Sequence, residues 1–557
     1  MDFSQITILL VVAAFLGILA KVFRQPLLVG YLFAGMILSL FGVIKDPASL
    51  QGLSQLGVTL LLFLLGLEMN LGGIGSFGRV AVVSGLGQIF FTSLLGLAIA
   101  LLLGHQFLPA LYIAICLAFS STIIIVKLLS EKKDLSSLYG RISIGFLLVQ
   151  DLVAIVILMF LAGLGKDNIT FNSILVIAVK GIVLFTAILF LSRKILPNIF
   201  EKIIATSTEL TFIVSIGWAL GVSSFVAGPM GFTLEIGGFL AGLALSNLPE
   251  HLQIASRTKP LRDFFLTLFF VYLGTQLVID ADIFKILPEA IFLSIFVLIG
   301  NPLILLTILG LLGYKRRTSF LAGLTSAQIS EFSLVLIAMG MSLGHVSQKE
   351  VSLVIMVGVI TMTFSTYLIM GGEKIYSHFR KYLKIFERRK TIEDAYSHAI
   401  EASDHIALVG CDRTGRAIVR FLKRRAVPFL AVDFNPRVFT RLTAENIPII
   451  FGDISDPEII EAARIDKARM IISTIGNFSD NKTLLENINK LDKKPVTIFT
   501  TATKEEAIKL YEFGASYVIV PEIIAGDHIK HLLRVYGLKG ERLTRAGKSH
   551  FNRLIFT

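Results

Sequence analysis

Charge is scarce in this chain. Only 17% of its 557 residues are charged, 54% are hydrophobic and the mean hydropathy is +0.77, whereas soluble domains carry about 25% charge. A soluble globular fold is thereby excluded for the chain as a whole, and an integral membrane protein is indicated. Cysteine is scarcer still. Cys116 and Cys411 are the two present, one in an apolar run and one in a polar region, which excludes a disulfide-built scaffold. A secretory leader is also missing: Met1-Asp2-Phe3-Ser4 has no basic stretch and no small-residue cleavage site follows, so the first apolar run is expected to remain as a span. The net charge of +12 would suit nucleic acid, but the basic residues cluster between apolar runs and read as a topology signal instead.

What is abundant is apolar sequence in runs of about 20 residues, the length that crosses a bilayer. Spans are expected near 5–23, 27–43, 53–70, 80–103, 107–129, 141–164, 172–192, 209–227, 232–248, 264–279, 287–312, 318–344 and 350–371. Basic residues gather after the odd-numbered spans, as in Lys132/Lys133/Arg141, Arg257/Lys259/Arg262 and Lys315/Arg316/Arg317. The positive-inside rule puts those loops in the cytoplasm, the amino terminus outside and the polar tail inside. Spans 2–6 and 9–13 then have opposite topology, the arrangement of the inverted repeats that build secondary transporters. The expected organisation is a membrane domain over 1–371, a connector helix over 372–403, an α/β domain over 404–535 and a tail over 536–557.

Asp151, preceded by Gln150, lies in the middle of the sixth span. A carboxylate at that depth costs about 2.5–3.5 kcal/mol on insertion scales, so it needs a partner or a use. A buried acid that a proton and a cation can both occupy is the chemistry of a cation/proton antiporter. The fifth span carries Ser120, Ser121 and Thr122 together, and the twelfth packs Thr325, Ser326, Gln328, Ser330 and Glu331 into its core. Both clusters fall in the fourth span of a proposed repeat, where irregular backbone survives only beside protein or a cavity. Hydroxyls that merely bond back to carbonyls or join helices are the plainer explanation of either cluster alone. Hydroxyl, amide and carbonyl oxygens beside a carboxylate suit a hard monovalent cation. Glu331 reads equally as a second proton site or a structural partner, Glu68 and Glu235 as structural acids, and Lys180 as a snorkelling lysine.

These residues carry a resemblance. The chain resembles the monovalent cation/proton antiporter-2 family, especially its Kef-type potassium/proton members. The likeness rests on Leu148-Val-Gln-Asp-Leu-Val-Ala154, Phe63 to Glu68, Phe119-Ser-Ser-Thr122, Gly237 to Gly242, Pro260 to Gly274 and Gln328-Ile-Ser-Glu-Phe332. It implies a sodium/proton antiporter-like fold with two crossed, interrupted helices, which would be spans 5 and 12 beside span 6, and Asp151 as the ion-binding acid. Gln150 tilts the cation towards potassium, because related sodium/proton exchangers carry Asn-Asp or Asp-Asp there. Many electrogenic relatives have a lysine where this chain has Asn301, so one-for-one exchange at Asp151 is the simpler expectation.

After residue 404 short apolar runs alternate with helical segments, the pattern of a Rossmann-like parallel sheet. The first turn, Gly410-Cys-Asp-Arg-Thr-Gly415, with Asp433 at the next strand end, has the spacing of a dinucleotide fingerprint. Asp412 stands where a middle glycine would be and repels a pyrophosphate unless Arg413 or Arg416 neutralises it. The tail nevertheless resembles the regulator-of-potassium-conductance (TrkA amino-terminal, RCK) domain, with Phe451-Gly-Asp453 and Ile472-Ser-Thr474 at its third and fourth strand ends. That resemblance implies a regulatory adenine nucleotide held by Gly410, Asp412, Arg413, Thr414, Gly415, Arg416, Asp433, Asp453 and Thr474. Asp412 favours AMP over NAD(H), ATP is possible, and a ligand-free structural domain is the alternative. The same family implies a homodimer in lipid.

The expected activity is therefore potassium/proton antiport by alternating access under nucleotide control. A sodium/proton exchanger is the nearer alternative. A potassium channel would need a Thr-Val-Gly-Tyr-Gly filter, which the chain lacks. No catalytic constellation accompanies the fingerprint to suggest an enzyme.

Overall fold

The apolar runs fold as helices, because in lipid every backbone N–H and C=O must be satisfied within the segment. The computed structural model describes residues 3–43, 47–68, 78–135, 137–163, 208–248, 250–277, 283–387 and 403–536, with scattered positions over 179–199 and 543–548. The chain forms two compact units, one of residues 1–129 and 139–388, the other of 130–138 and 389–557. The expected seventh span, the connector beyond 387 and the tail beyond 536 lie largely outside the described residues.

In the first unit the helices are α1 (Phe3–Val22), α2 (Leu27–Leu40), α3 (Pro47–Glu68), α4 (Gly78–Leu102), α5 (Phe107–Ala118), α6 (Thr122–Glu131) and α7 (Leu138–Gly163). After the seventh span follow α8 (Thr208–Ala227), α9 (Leu234–Leu245), α10 (His251–Thr275), α11 (Ile283–Ile295), α12 (Asn301–Leu311), α13 (Arg316–Leu324), α14 (Glu331–Ser342), α15 (Gln348–Met370) and α16 (Gly372–Phe379). Among the described residues eight helices or broken pairs are long and apolar enough to cross a membrane.

Two spans are interrupted. The fifth breaks between Ala118 and Thr122, with Phe119 in extended backbone. The twelfth breaks between Leu324 and Glu331, where Ser330 caps α14 by accepting from the Phe332 N–H. A third irregularity joins α11 to α12: Phe296–Gly300 is a π-helical turn directly before Asn301 and Pro302. Proline cannot donate to the preceding turn, and the wider register accommodates the missing bond.

One expected boundary moves. The tenth span is expected at 264–279 with Arg257, Lys259 and Arg262 in a preceding loop, but α10 begins at His251 and carries all three on the helix, running through Pro260. Hydropathy finds the greasy half of such a helix and misses its charged turns. Close packing is set by glycine: a Cβ on Gly242 would lie 1.9 Å from the Phe63 carbonyl oxygen, and one on Gly66 2.2 Å from that of Phe239. α3 and α9 therefore touch backbone to backbone, as small residues allow in membrane helix pairs.

The second unit is a parallel six-stranded sheet in the order β3-β2-β1-β4-β5-β6, with β1 His405–Val409, β2 Phe429–Asp433, β3 Ile449–Phe451, β4 Ala468–Ser473, β5 Val496–Thr500 and β6 Tyr517–Ile519. Helices α17 (Arg413–Arg424), α18 (Pro436–Ala444), α19 (Pro457–Ala462), α20 (Phe478–Ile488), α21 (Lys504–Glu512) and α22 (Pro521–Tyr536) alternate with the strands. The strand order reverses between β1 and β4, the crevice where doubly wound sheets bind ligands.

Candidate ion site and nucleotide crevice

Each interrupted span leaves half-helix ends inside the protein, and these need partners. The two breaks are stapled to each other. Ser333 Oγ donates to the Cys116 carbonyl at 2.6 Å, Cys116 Sγ donates to the Ser333 carbonyl at 3.3 Å, and Ser120 Oγ donates to the Ser326 carbonyl at 3.4 Å. The end of α5 thus lies beside the start of α14, so the negative end of one helix dipole meets the positive end of the other.

Asp151, on α7, is buried at 5% exposure beside the break in span 5. Thr122 Oγ1, at the first residue of α6, donates to its Oδ2 at 2.9 Å. Glu331, 3% exposed, opens α14 and takes a hydrogen bond from the hydroxyl of Ser330 at 3.3 Å, with the Ser121 hydroxyl nearby. Two carboxyl groups therefore stand at the amino ends of two broken helices, where backbone N–H groups favour an anion. A lone ionised carboxylate at such depth is costly, and a monovalent cation or a proton would balance it.

The other expected residues of the site lie at or beside the two breaks, with differing roles. Gln150 Oε1 accepts from the Ser120 N–H at 3.1 Å, so this side chain bridges the break. Ser121 Oγ also accepts from the Ile124 N–H at 3.3 Å, capping α6. Ser326 Oγ donates to the Gly323 carbonyl. Gln328 Oε1 accepts from Ser365 at 2.8 Å, while its buried Nε2 has no partner among the described residues. Lys180 donates to the Met230 carbonyl at 3.4 Å. Sequence reasoning missed Ser143 and Thr361, which hold the second break through Thr325 Oγ1 and the Ile329 N–H. It also missed Gln88 and Thr92. Polar residues four apart in an apolar helix were the available signal.

In the second unit the expected crevice residues gather around the strand ends. Gly410 has φ +80°, which favours glycine. A Cβ on Gly415 would fall 1.9 Å from the Gly410 carbonyl oxygen, so α17 starts hard against the β1 turn. Thr474 Oγ1 ties β4 to that turn through the same carbonyl at 2.7 Å. Asp433 accepts from the N–H groups of Cys411 at 2.7 Å and Asn435 at 2.8 Å. Asp453 is engaged by the Ser455 N–H and hydroxyl at 2.9 and 2.6 Å. Asp412 is the N-cap of α17, without a side-chain capping bond, and Arg413, Thr414 and Arg416 lie in the first turn. The cradle of two glycines and the acid at the β2 end fit a nucleotide. The Asp412 carboxylate opposes a pyrophosphate. Cys411 is buried, and burial followed by the neighbouring Asp433 pushes its thiol well up, so it is inert rather than a ready thiolate.

Comparison with known proteins agrees with this division. The TrkA-N domain family matches residues 406–521. The chain is 28% identical to a putative cation/proton antiporter, YbaL, of Escherichia coli, over 92% of this chain and 94% of that one. It is 24% identical to a putative K(+) efflux antiporter, KefB, of Alkalimonas amylolytica, over 97% and 82% of the two chains. The sodium proton antiporter MjNhaP1 of Methanocaldococcus jannaschii superposes with a TM-score of 0.48 at 13% identity, covering 69% of this chain and 97% of that one. The sodium/hydrogen exchanger transmembrane family matches residues 9–370, most of the chain, and the protein belongs to that family of multi-pass membrane proteins.

Proposed function

We propose that this protein exchanges a monovalent cation, potassium by preference, for a proton, with Asp151 holding each in turn as the membrane domain alternates its access. The observation that carries the reading is the Asp151 carboxylate, buried at the break of span 5 with Thr122 bonded to it and Glu331 at the facing break. Asp151 can bind only one of the two ions at a time, so competition at one acid couples their movements. Ser120, Ser121, Thr122, Ser326, Gln328 and the carbonyls of the two breaks are the oxygen donors within this region, of the kind hard cations take.

Asn301 supports one-for-one exchange. Its amide is neutral and donates to the Leu117 carbonyl at 2.9 Å, so no lysine there carries a proton of its own. The relatives named as potassium efflux antiporters, together with Gln150, support potassium over sodium. The TrkA-N unit supports regulation by an adenine nucleotide at the β1/β4 crevice, AMP before NAD(H) or ATP because of Asp412. The amino terminus is then outside and the second unit cytoplasmic, in a homodimer embedded in the cell membrane.

The test is proton-gradient dissipation in reconstituted vesicles on adding potassium or sodium, with Asp151→Asn alongside. Potassium should dissipate the gradient without net current, and the variant should be silent. A variant exchanging at the normal rate would remove Asp151 from the mechanism. A transport current would overturn one-for-one stoichiometry, and a stronger response to sodium would reverse the cation preference.

A further inference from the structure

Three buried polar side chains near the first break are not among the ion-binding groups named above. Gln88 and Thr92 sit one turn apart on α4, Asn301 begins α12, and all three are fully buried. Buried amides and hydroxyls must be hydrogen-bonded or they cost stability. These three are satisfied as a single chain that begins at Gln150.

The chain has a direction. Gln150 Nε2 donates to Gln88 Oε1. Gln88 Nε2 donates to Thr92 Oγ1 at 3.1 Å, and Thr92 Oγ1 donates to Asn301 Oδ1 at 3.0 Å. Asn301 Nδ2 donates to the Leu117 carbonyl at 2.9 Å. At its other end Gln150 Oε1 accepts from the Ser120 N–H at 3.1 Å. The path thus leaves the Ser120 N–H inside the break, crosses α7, α4 and α12, and returns to the Leu117 carbonyl, one of the last before it. Both loose ends of α5 and its continuation are closed by neutral groups, and the Asp151 carboxylate beside them keeps its own partner, Thr122.

Direction matters because every link donates onward. Turning over the Asn301 amide would place an NH2 against the Thr92 hydroxyl and an oxygen against the Leu117 oxygen. The relay would then have to reverse back to Gln150, whose Nε2 would face the Ser120 N–H. The far end of the chain therefore fixes which face of the Gln150 amide is presented next to Asp151.

We propose that Gln88, Thr92 and Asn301 are positioning residues that hold Gln150 and the carbonyls of the α5 break in register, and thereby set the cation affinity and the potassium-over-sodium preference of the site. The inference rests on the assignment of the ion to Asp151. Selection among hard cations depends on cavity size and on how firmly the oxygen ligands are held. A relaxed break would collapse around the smaller ion and lose the larger one first.

The experiment uses full-length protein in vesicles, with the KM and kcat for potassium and for sodium measured for Thr92→Val, Thr92→Ser, Asn301→Leu and Asp151→Asn. Valine keeps the shape of threonine and removes only the relay hydroxyl. Thr92→Val and Asn301→Leu should each raise the potassium KM about tenfold, with little change in kcat, as expected for one buried hydrogen bond or slightly more. Both should lower the potassium-to-sodium ratio, and Thr92→Ser should restore normal values. The Thr92→Val/Asn301→Leu double variant should be no worse than either single one, since both cut the same chain. Unchanged KM and ratio in Thr92→Val, or an equal loss in Thr92→Ser, would overturn the proposal. If Asn301→Leu fails to assemble, the Thr92 pair still decides. Exchange surviving in Asp151→Asn would instead sink the carrier assignment, a separate result.

Discussion

At the residue scale the sharpest dependence is on a single hydroxyl. Thr122 Oγ1 donates to Asp151 Oδ2 at 2.9 Å, and a hydrogen bond to a charged group contributes about 1.5–3 kcal/mol. Thr122→Val should therefore slow exchange at sub-saturating cation by roughly 10- to 100-fold, while Thr122→Ser stays near normal; a stopped-flow dye assay of vesicle pH reads both. A separate titrating cluster is built on His105. His105, in the link between α4 and α5, bonds Glu289 through Nε2 and Glu350 through Nδ1, with Lys349 on the far side of Glu289. The hydrogen bonds that the imidazole donates to Glu289 and then to Glu350 lift it from 6.5 to about 9, against burial. A folded value above the unfolded one means that the charged imidazole stabilises fully below pH 6.5 and loses that effect as pH rises through about 9. Thermal melts of wild type and His105→Gln should differ most at acid pH and converge above about pH 10. A gap that does not narrow with pH would show the histidine acting by packing alone.

At the element scale the interrupted helices could be read from sequence because hydroxyls and amides clustered where lipid-spanning helices hold few: Ser120 to Thr122 and Thr325 to Glu331. Asp151 stood out for the same reason. What could not be read was which element closes each gap. Thr92 and Asn301 are distant in sequence, and only packing of α4 against α12 makes them neighbours. The charged start of α10 was also invisible, since Arg257, Lys259 and Arg262 resemble a loop to any hydropathy window. Helix contact through glycine is a third feature of packing rather than of pattern. At Gly242 the Phe63 carbonyl leaves no room for a methyl group. Gly242→Ala should push α3 and α9 apart and cost about 1–3 kcal/mol, the usual penalty of overpacking. Gly217, whose added Cβ would meet nothing within 4 Å, is the control, and Gly217→Ala should melt like wild type in detergent.

At the scale of the whole molecule the chain's order and its packing disagree in one informative place. Residues 130–138 run from the last turn of α6 to the first residue of α7, yet they belong to the compact unit built on the six-stranded sheet. Asn477, the N-cap of α20 directly after β4, donates to the Lys133 carbonyl at 2.8 Å. The Lys133 ammonium pairs with Glu506, and Asp453 accepts from the Leu138 N–H at 3.4 Å. Both Asn477 and Asp453 follow strands at the end of the sheet where a nucleotide would bind. The segment they hold is covalently continuous with Thr122 on one side and Asp151 on the other. On the proposed function, a ligand that reorganised those strand ends would act on a stretch of chain continuous with the proposed ion site, and coupling would require only that one state grip it better than the other. Allosteric coupling is commonly worth about 1–3 kcal/mol, a change of roughly fivefold or more. If AMP regulates exchange as proposed, the Lys133→Ala/Asn477→Ala pair should keep basal exchange and the thermal shift produced by AMP, while the effect of AMP on potassium KM falls below about twofold. If AMP still shifts KM fully in that pair, regulation runs by another route, and the segment serves only to complete the fold of the unit it packs into.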